Sequence, residues 1–227
     1  MDEPRPPLED PRALQILMAE HSSLVASRSL AYNEAFSRSG MFLSFLSATL
    51  IVIGFLIGSL GLSVALTPIV AVLLLADLYV GAATAGRLIA ASGEELRCVR
   101  GMNRIRHAYG EIVPGLDPYF ITGSYDDAAG VLATYGDVSE GSSVGRLILH
   151  GLTTTIGMVA TIDAMILGAL CSLPAAALGA SREVAVLAGI VGFVVGFGLF
   201  AMIGQRSAMG QQARADSRFP TPGRRAD

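Results

Sequence analysis

From Met41 to Ala76 the chain carries no charged residue, and no other feature constrains its fold as much. A helix crosses the hydrocarbon core of a bilayer with roughly 20 apolar residues, so this run is too long for one crossing. Small, turn-forming residues interrupt it once, at Gly58, Ser59, Gly61 and Ser63. The stretch 41–88 therefore reads as a transmembrane hairpin, with one span over about 41–60 and a second over about 67–88. Two more apolar runs, about 152–173 and 184–203, form a second hairpin within 147–204. The fold class expected is all-α: a four-transmembrane-helix bundle of two hairpins with cytoplasmic helical extensions.

Composition agrees with that class. The chain of 227 residues is 52% hydrophobic and only 15% charged, the balance of a membrane protein rather than a soluble domain. A formal net charge of −3 argues against a nucleic-acid partner. Every basic residue is Arg, which we read as codon bias and not as a site. The two cysteines, Cys98 and Cys171, fall on different sides of the membrane in this topology, so no disulfide is expected, and no metal-ligand spacing exists. The start of the chain is polar and acidic and the first apolar run begins near residue 41, so no signal peptide is expected.

Residues 1–10 are rich in Pro and acids and are expected to be disordered. Asp10 and Pro11 read as the N-cap and first position of a helix. Apolar residues follow at helical spacing (Leu14, Leu17, Met18, Leu24, Val25, Ala31) and define an amphipathic cytoplasmic helix over 11–40. Nothing obvious breaks it before the first span. In the second span Thr67 and Pro68 supply the helix start. The cytoplasmic loop, 89–146, opens with a helical stretch whose Leu96, Val99, Met102, Ile105 and Tyr109 line one side, and Pro114 ends it. Ser124 reads as the N-cap of a short helix reaching about Tyr135. Residues 136–145 read as flexible, 174–183 as a linker, and 205–227 as a disordered cytoplasmic tail.

Arginine placement sets the expected topology. Arg5, Arg12, Arg28 and Arg38 precede the first span. Arg87, Arg97, Arg100, Arg104, Arg106 and Arg146 belong to the long loop and its edges, and five more follow the last span. The two short connections hold only Arg182. The positive-inside rule then places both termini and the long loop in the cytoplasm.

Asp77 and Asp163 are the residues most suggestive of chemistry. Asp77 falls roughly 14 Å along the second span and Asp163 roughly 16 Å along the third, so both lie near the bilayer midplane. A carboxylate there costs about 2.5–3.5 kcal/mol on insertion scales. No basic residue occurs at that depth in any span. Either the pair forms an ion or proton path, or neutral carboxyls bond neighbouring helices; the second reading is the favoured one. Gly54 and Gly58 form one small-residue stripe, and Ala188, Gly192 and Gly196 another. Each serves either dimerisation or, the reading preferred, helix packing within the chain. Arg87, Arg97, Arg100 and Arg104 are candidates for lipid headgroup contact, set against a plain positive-inside signal. The loop acids Asp117, Asp126, Asp127, Asp137 and Glu140 lack the spacing of a calcium loop. His21, His107 and His150 are too scattered to form a ligand set, and no nucleophile elbow or phosphate loop is present.

Residues 28–38, RSLAYNEAFSR, and 100–109, RGMNRIRHAY, resemble stretches of uncharacterised bacterial multi-pass integral-membrane proteins. That resemblance covers much of the chain and implies no activity. The expectation is a non-enzymatic protein of the bacterial inner membrane, without cofactor or metal. Its partners would be the lipid bilayer and an unidentified protein, or further copies in a homo-oligomer. The alternative is a small cation or proton channel or transporter using Asp77 and Asp163.

Overall fold

Asp10 starts the first helix as its sequence predicts: its carboxylate accepts the Arg12 N–H at 2.8 Å and its carbonyl accepts from Ala13 at 2.8 Å. In the computed structural model, which describes residues 8, 10–61, 64–135, 154–213 and 216–222, helix α1 then runs unbroken over Pro11–Leu60. It ends where Gly61 adopts φ +71° and its N–H bonds the Ile57 carbonyl at 2.9 Å, a left-handed termination that Gly makes without strain. A 3₁₀ turn, Val64–Leu66, leads into α2, Thr67–Ile112. This helix also continues well past its apolar part and stops two residues before Pro114. A second 3₁₀ turn, Asp117–Tyr119, precedes α3, Ala128–Thr134.

Helix α4, Thr155–Ala177, is capped by Thr154, whose hydroxyl accepts the Gly157 N–H at 3.1 Å. Its end differs from expectation. Pro174 lies inside the helix rather than opening a linker. The stop comes at Gly179, with φ +76°, where Gly179 and Ala180 N–H groups return to the Ala176 and Ala175 carbonyls at 3.1 and 3.0 Å. This is the paired bonding that closes helices on a left-handed Gly. Helix α5, Arg182–Ala213, extends beyond the expected Ile203 and through the start of the segment expected to be disordered. No strand occurs among the described residues. Among the described residues, four helices are long and apolar enough to cross a membrane: α1, α2 with the turn before it, α4 and α5. Residues 1–7 and 136–145, read from sequence as disordered and flexible, lie outside the described residues.

The chain packs as two units, one of Glu34–Ala90 with Ser143–Ala208 and one of Met1–Asn33, Ala91–Ser142 and Met209–Asp227. In the first, the buried positions of α2 are Val70, Leu74, Asp77, Gly81, Thr84, Ala85 and Leu88. They recur at alternating spacings of about four and three, the stripe by which a helix seats against neighbours. Phe42 of α1 and Val159 and Ile166 of α4 complete its apolar cluster. Helices α4 and α5 approach closely: a Cβ on Gly168 would stand 2.7 Å from the Gly189 carbonyl oxygen, and one on Gly196 3.3 Å from the Ala164 Cα. Gly192 and Gly196 are buried and Ala188 half-buried, so this stripe is used within the chain.

The other stripe is not. Gly54 and Gly58 are exposed, and a Cβ on either would meet nothing within 4 Å. The expected contact with a neighbouring span of the same chain is therefore corrected. The buried face of α1 runs instead through Ser39, Phe42 and Thr49, which leaves the Gly54 side turned outward. Large apolar side chains also cover the outer faces of this unit, including Ile51, Phe55, Val72 and Val195.

In the second unit, the first part of α1 lies on the far part of α2. Val99, Met102 and Val131 form the core, with Leu24 and Leu96 against it. Gly101 makes room for Leu24, whose Cδ1 stands 2.8 Å from where a Cβ would be. The stripe read from sequence is the one buried, with Val99 at 0% exposure and Ile105 at 5%. Arg28 spans the same interface to Glu95 at 3.0 Å. The hydroxyls of Tyr32 and Tyr135 both donate to the same Glu95 oxygen at 3.1 Å. Burial and the Glu95 carboxylate raise the Tyr135 phenol well above its ordinary value, so it acts as a fixed donor. Gly101→Leu should displace Leu24 and lower stability by about 1–3 kcal/mol, the usual cost of overpacking. Denaturant unfolding with a probe at Tyr32 would measure it.

Candidate functional site

The two acids singled out from sequence are both fully buried, Asp77 and Asp163 each at 0% exposure. Helix α2 carries Asp77 on its packed stripe, and Gly81 follows one turn later on the same face, roughly 6 Å along the axis. Helix α4 brings Asp163 to that turn. A Cβ on Gly81 would overlap the Asp163 carboxylate, so the missing side chain of Gly81 is the socket in which Asp163 sits. The two acids are thus about one helical turn apart on one packed face.

Their hydrogen bonding is sparse. Thr49 of α1 donates to Asp77 Oδ1 at 3.2 Å. Asp77 Oδ2 and both oxygens of Asp163 are buried with no hydrogen-bond partner among the described residues. Two hydroxyls on the same helices are committed elsewhere: Thr84 donates to the Val80 carbonyl at 2.8 Å and Thr161 to the Gly157 carbonyl at 2.7 Å. A buried carboxylate with no donor is costly as an anion. The arrangement therefore suits a proton or a cation bound at the carboxyls. No group of three or more His, Cys, Asp or Glu suited to a metal occurs among the described residues.

The arginines are scattered in role. Arg87 pairs with Glu34 at 2.7 Å, as does Arg38 at 2.8 Å. Arg97 is exposed, as is Arg87. Arg100 is half-buried, and burial draws its guanidinium below the ordinary value despite the nearby Asp126. Arg104 donates its Nε to Asp126 at 2.6 Å and its Nη2 to the Asp216 carbonyl at 2.5 Å, so its charge is engaged in an internal contact.

That contact belongs to a constellation the sequence did not disclose. Asp127, not Ser124, caps α3, accepting the Gly130 N–H at 2.8 Å. The reason is that Ser124 stands in an irregular turn and the backbone becomes helical only at Ala128. Asp126 is buried at 1% exposure. It accepts from Ser217 Oγ at 2.9 Å, the Arg218 N–H at 3.0 Å and the Phe219 N–H at 2.8 Å. Asp127 accepts from both the N–H and the hydroxyl of Thr221, at 3.1 and 2.8 Å. Burial by itself would raise Asp126, but the two backbone N–H groups, then Arg104 and Ser217, outweigh it and hold the carboxyl below its ordinary value. Asp127 is likewise lowered, by Gly130 and Thr221 against the effect of burial. The expected disorder of the tail thus fails for residues 216–222. Its available signals were Phe219, a lone aromatic in a polar tail, and the Asp126–Asp127 dipeptide.

No family model matches the chain, and no curated protein or solved structure is significantly similar to it, so these geometries are the basis on which a function has to be argued.

Proposed function

We propose that the protein is a non-enzymatic integral membrane protein of a bacterial inner membrane, acting through helix contacts in the bilayer and protein contacts outside it. Its four apolar helices would cross as two hairpins, with both termini and the loop 89–146 in the cytoplasm. The observation that carries this reading is the cover of large apolar side chains on the outer faces of residues 34–90 and 154–208, where Ile51 and Phe55 are each 72% exposed. A soluble surface rarely tolerates contiguous apolar patches on that scale, whereas lipid requires them. Arginine asymmetry supports the orientation.

Labelling tests the topology. With Cys98 and Cys171 replaced, single cysteines at Gly61 and Ser181 should react with an impermeant maleimide from the periplasmic side. Cysteines at positions 120–135 should react only after permeabilisation, and periplasmic labelling there would overturn the arrangement.

A proton or cation path through Asp77 and Asp163 is the second reading, favoured by three of their oxygens having no hydrogen-bond partner among the described residues. Asp77→Asn and Asp163→Asn separate the two. For a purely structural role, Asn keeps a bonding group and the loss should be about 0.6 kcal/mol, seldom near 2, with no flux in liposomes of either protein. For a path, the unaltered chain conducts and each Asn variant, still folded, does not.

A further inference from the structure

We propose that the corner formed by Asp126 and Asp127 is a peptide-recognition site, and that residues 217–221 of this chain, Ser-Arg-Phe-Pro-Thr, are its resident and displaceable ligand. The ligand class is a short segment that bends at its second and third positions, with hydroxyls at its first and fifth positions, an aromatic at the third and Pro at the fourth.

Three observations define that class. First, both acids face the segment's donors. Asp126 takes the hydroxyl of position one and the N–H groups of positions two and three. Asp127 takes the N–H and hydroxyl of position five. Position four gives no N–H, because Pro has none to offer. Second, the site answers in kind: the Asp126 N–H donates to the Phe219 carbonyl at 3.1 Å. The Phe219 ring lies 4.3 Å from the His107 ring, tilted at 32°. Third, the receiving side is braced by contacts that do not involve the segment. Asp126 is held by Arg104, and Asp127 is fixed as the cap of α3. Asn103 braces the turn by donating to the Tyr125 and Gly130 carbonyls at 2.8 and 3.2 Å.

The ligand itself is shallow. Ser217, Arg218 and Pro220 are exposed, and Phe219 and Thr221 only half-buried. Its hold is polar and local, so a second segment of the same pattern competes on equal terms, apart from the advantage that tethering gives the resident tail. A phosphate on the first hydroxyl would set a dianion against Asp126 and abolish docking.

The test uses the membrane protein in detergent or nanodiscs and a fluorescent peptide of residues 216–222. The peptide should bind a chain lacking 216–227, and bind the intact chain and the Asp126→Asn truncated chain at least tenfold more weakly. The peptide with phosphoserine at its first hydroxyl should not bind. Equal binding to the Asp126→Asn chain, or of the phosphopeptide, overturns the proposal. Hydrogen exchange on the intact chain guards against a truncation that does not fold. The amides of Arg218, Phe219 and Thr221 should be protected, and lose that protection in Asp126→Asn. Tail amides that exchange as fast as those of the free peptide also overturn it.

Discussion

Asp126→Ala should lower stability by about 3 kcal/mol and free the C-terminal segment. The carboxylate it removes is enclosed and partnered by Arg104, Ser217 and two backbone N–H groups. Deleting one member of a buried ion pair typically costs about 3–5 kcal/mol, because the other charge is left without its partner. The lower end applies here, since the Arg104 side chain keeps 35% exposure and recovers water. Denaturant unfolding, with exchange at Phe219 as a local readout, measures both effects. The pH dependence follows from the depressed carboxyls. A group whose folded value lies below its unfolded one stabilises fully above the unfolded value, about 4 for Asp, and loses that contribution as pH falls through the folded value. Docking of the segment should therefore be constant across the neutral range and fail only in strong acid. Release near neutrality would show that Asp126 does not carry it. Asp127→Ala should cost less, about 1 kcal/mol for the lost cap plus its bonds to Thr221.

Gly81→Ala should also destabilise, by about 1–3 kcal/mol, as overpacking of a filled site usually does. The added Cβ overlaps the Asp163 carboxylate, and the neighbouring positions on the same face of α2, Asp77, Thr84 and Ala85, are all buried. Replacing Gly in a helix interior otherwise gains up to about 1 kcal/mol, so the sign depends on the carboxylate. The double variant Gly81→Ala with Asp163→Ala removes the obstruction and should make the Gly81 change neutral or stabilising. A thermodynamic cycle would then give a coupling of about 0.5–3 kcal/mol between the positions. Equal costs in both backgrounds would show that Asp163 does not occupy the Gly81 socket. The same cycle informs the ion-path reading, because it moves the carboxylate without touching Asp77.

How far each part was legible in the sequence depended on the reach of its cause. Length and hydrophobicity of residues 41–60, 67–88 and 184–203 announced long apolar helices, because helix length and side-chain polarity are written in consecutive residues. Asp10, Gly61 and Pro114 marked helix ends through bonds or strain within one turn of themselves, and the structure ends its helices there. The stripe of Val99, Met102 and Ile105 was legible for the same reason, since its period needs no knowledge of the partner. Local signals failed where two candidates competed within a few residues. Ser124 and Asp127 are both good caps, and only the turn imposed by packing on Asn103 decided between them.

What the sequence determined by itself was therefore the helical class, the number of apolar helices, and the two buried acids as anomalies in an apolar environment. Tertiary structure alone decided which small-residue stripe is packed, since Gly192 and Gly54 look alike until a second helix meets one and not the other. It alone gave Asp163 a place beside Gly81, and it alone brought Ser217 to Asp126, 91 residues away along the chain. The physical reason is that a carboxylate's partners are chosen by which distant donors arrive, and a five-residue polar segment has no periodicity to announce where it will dock.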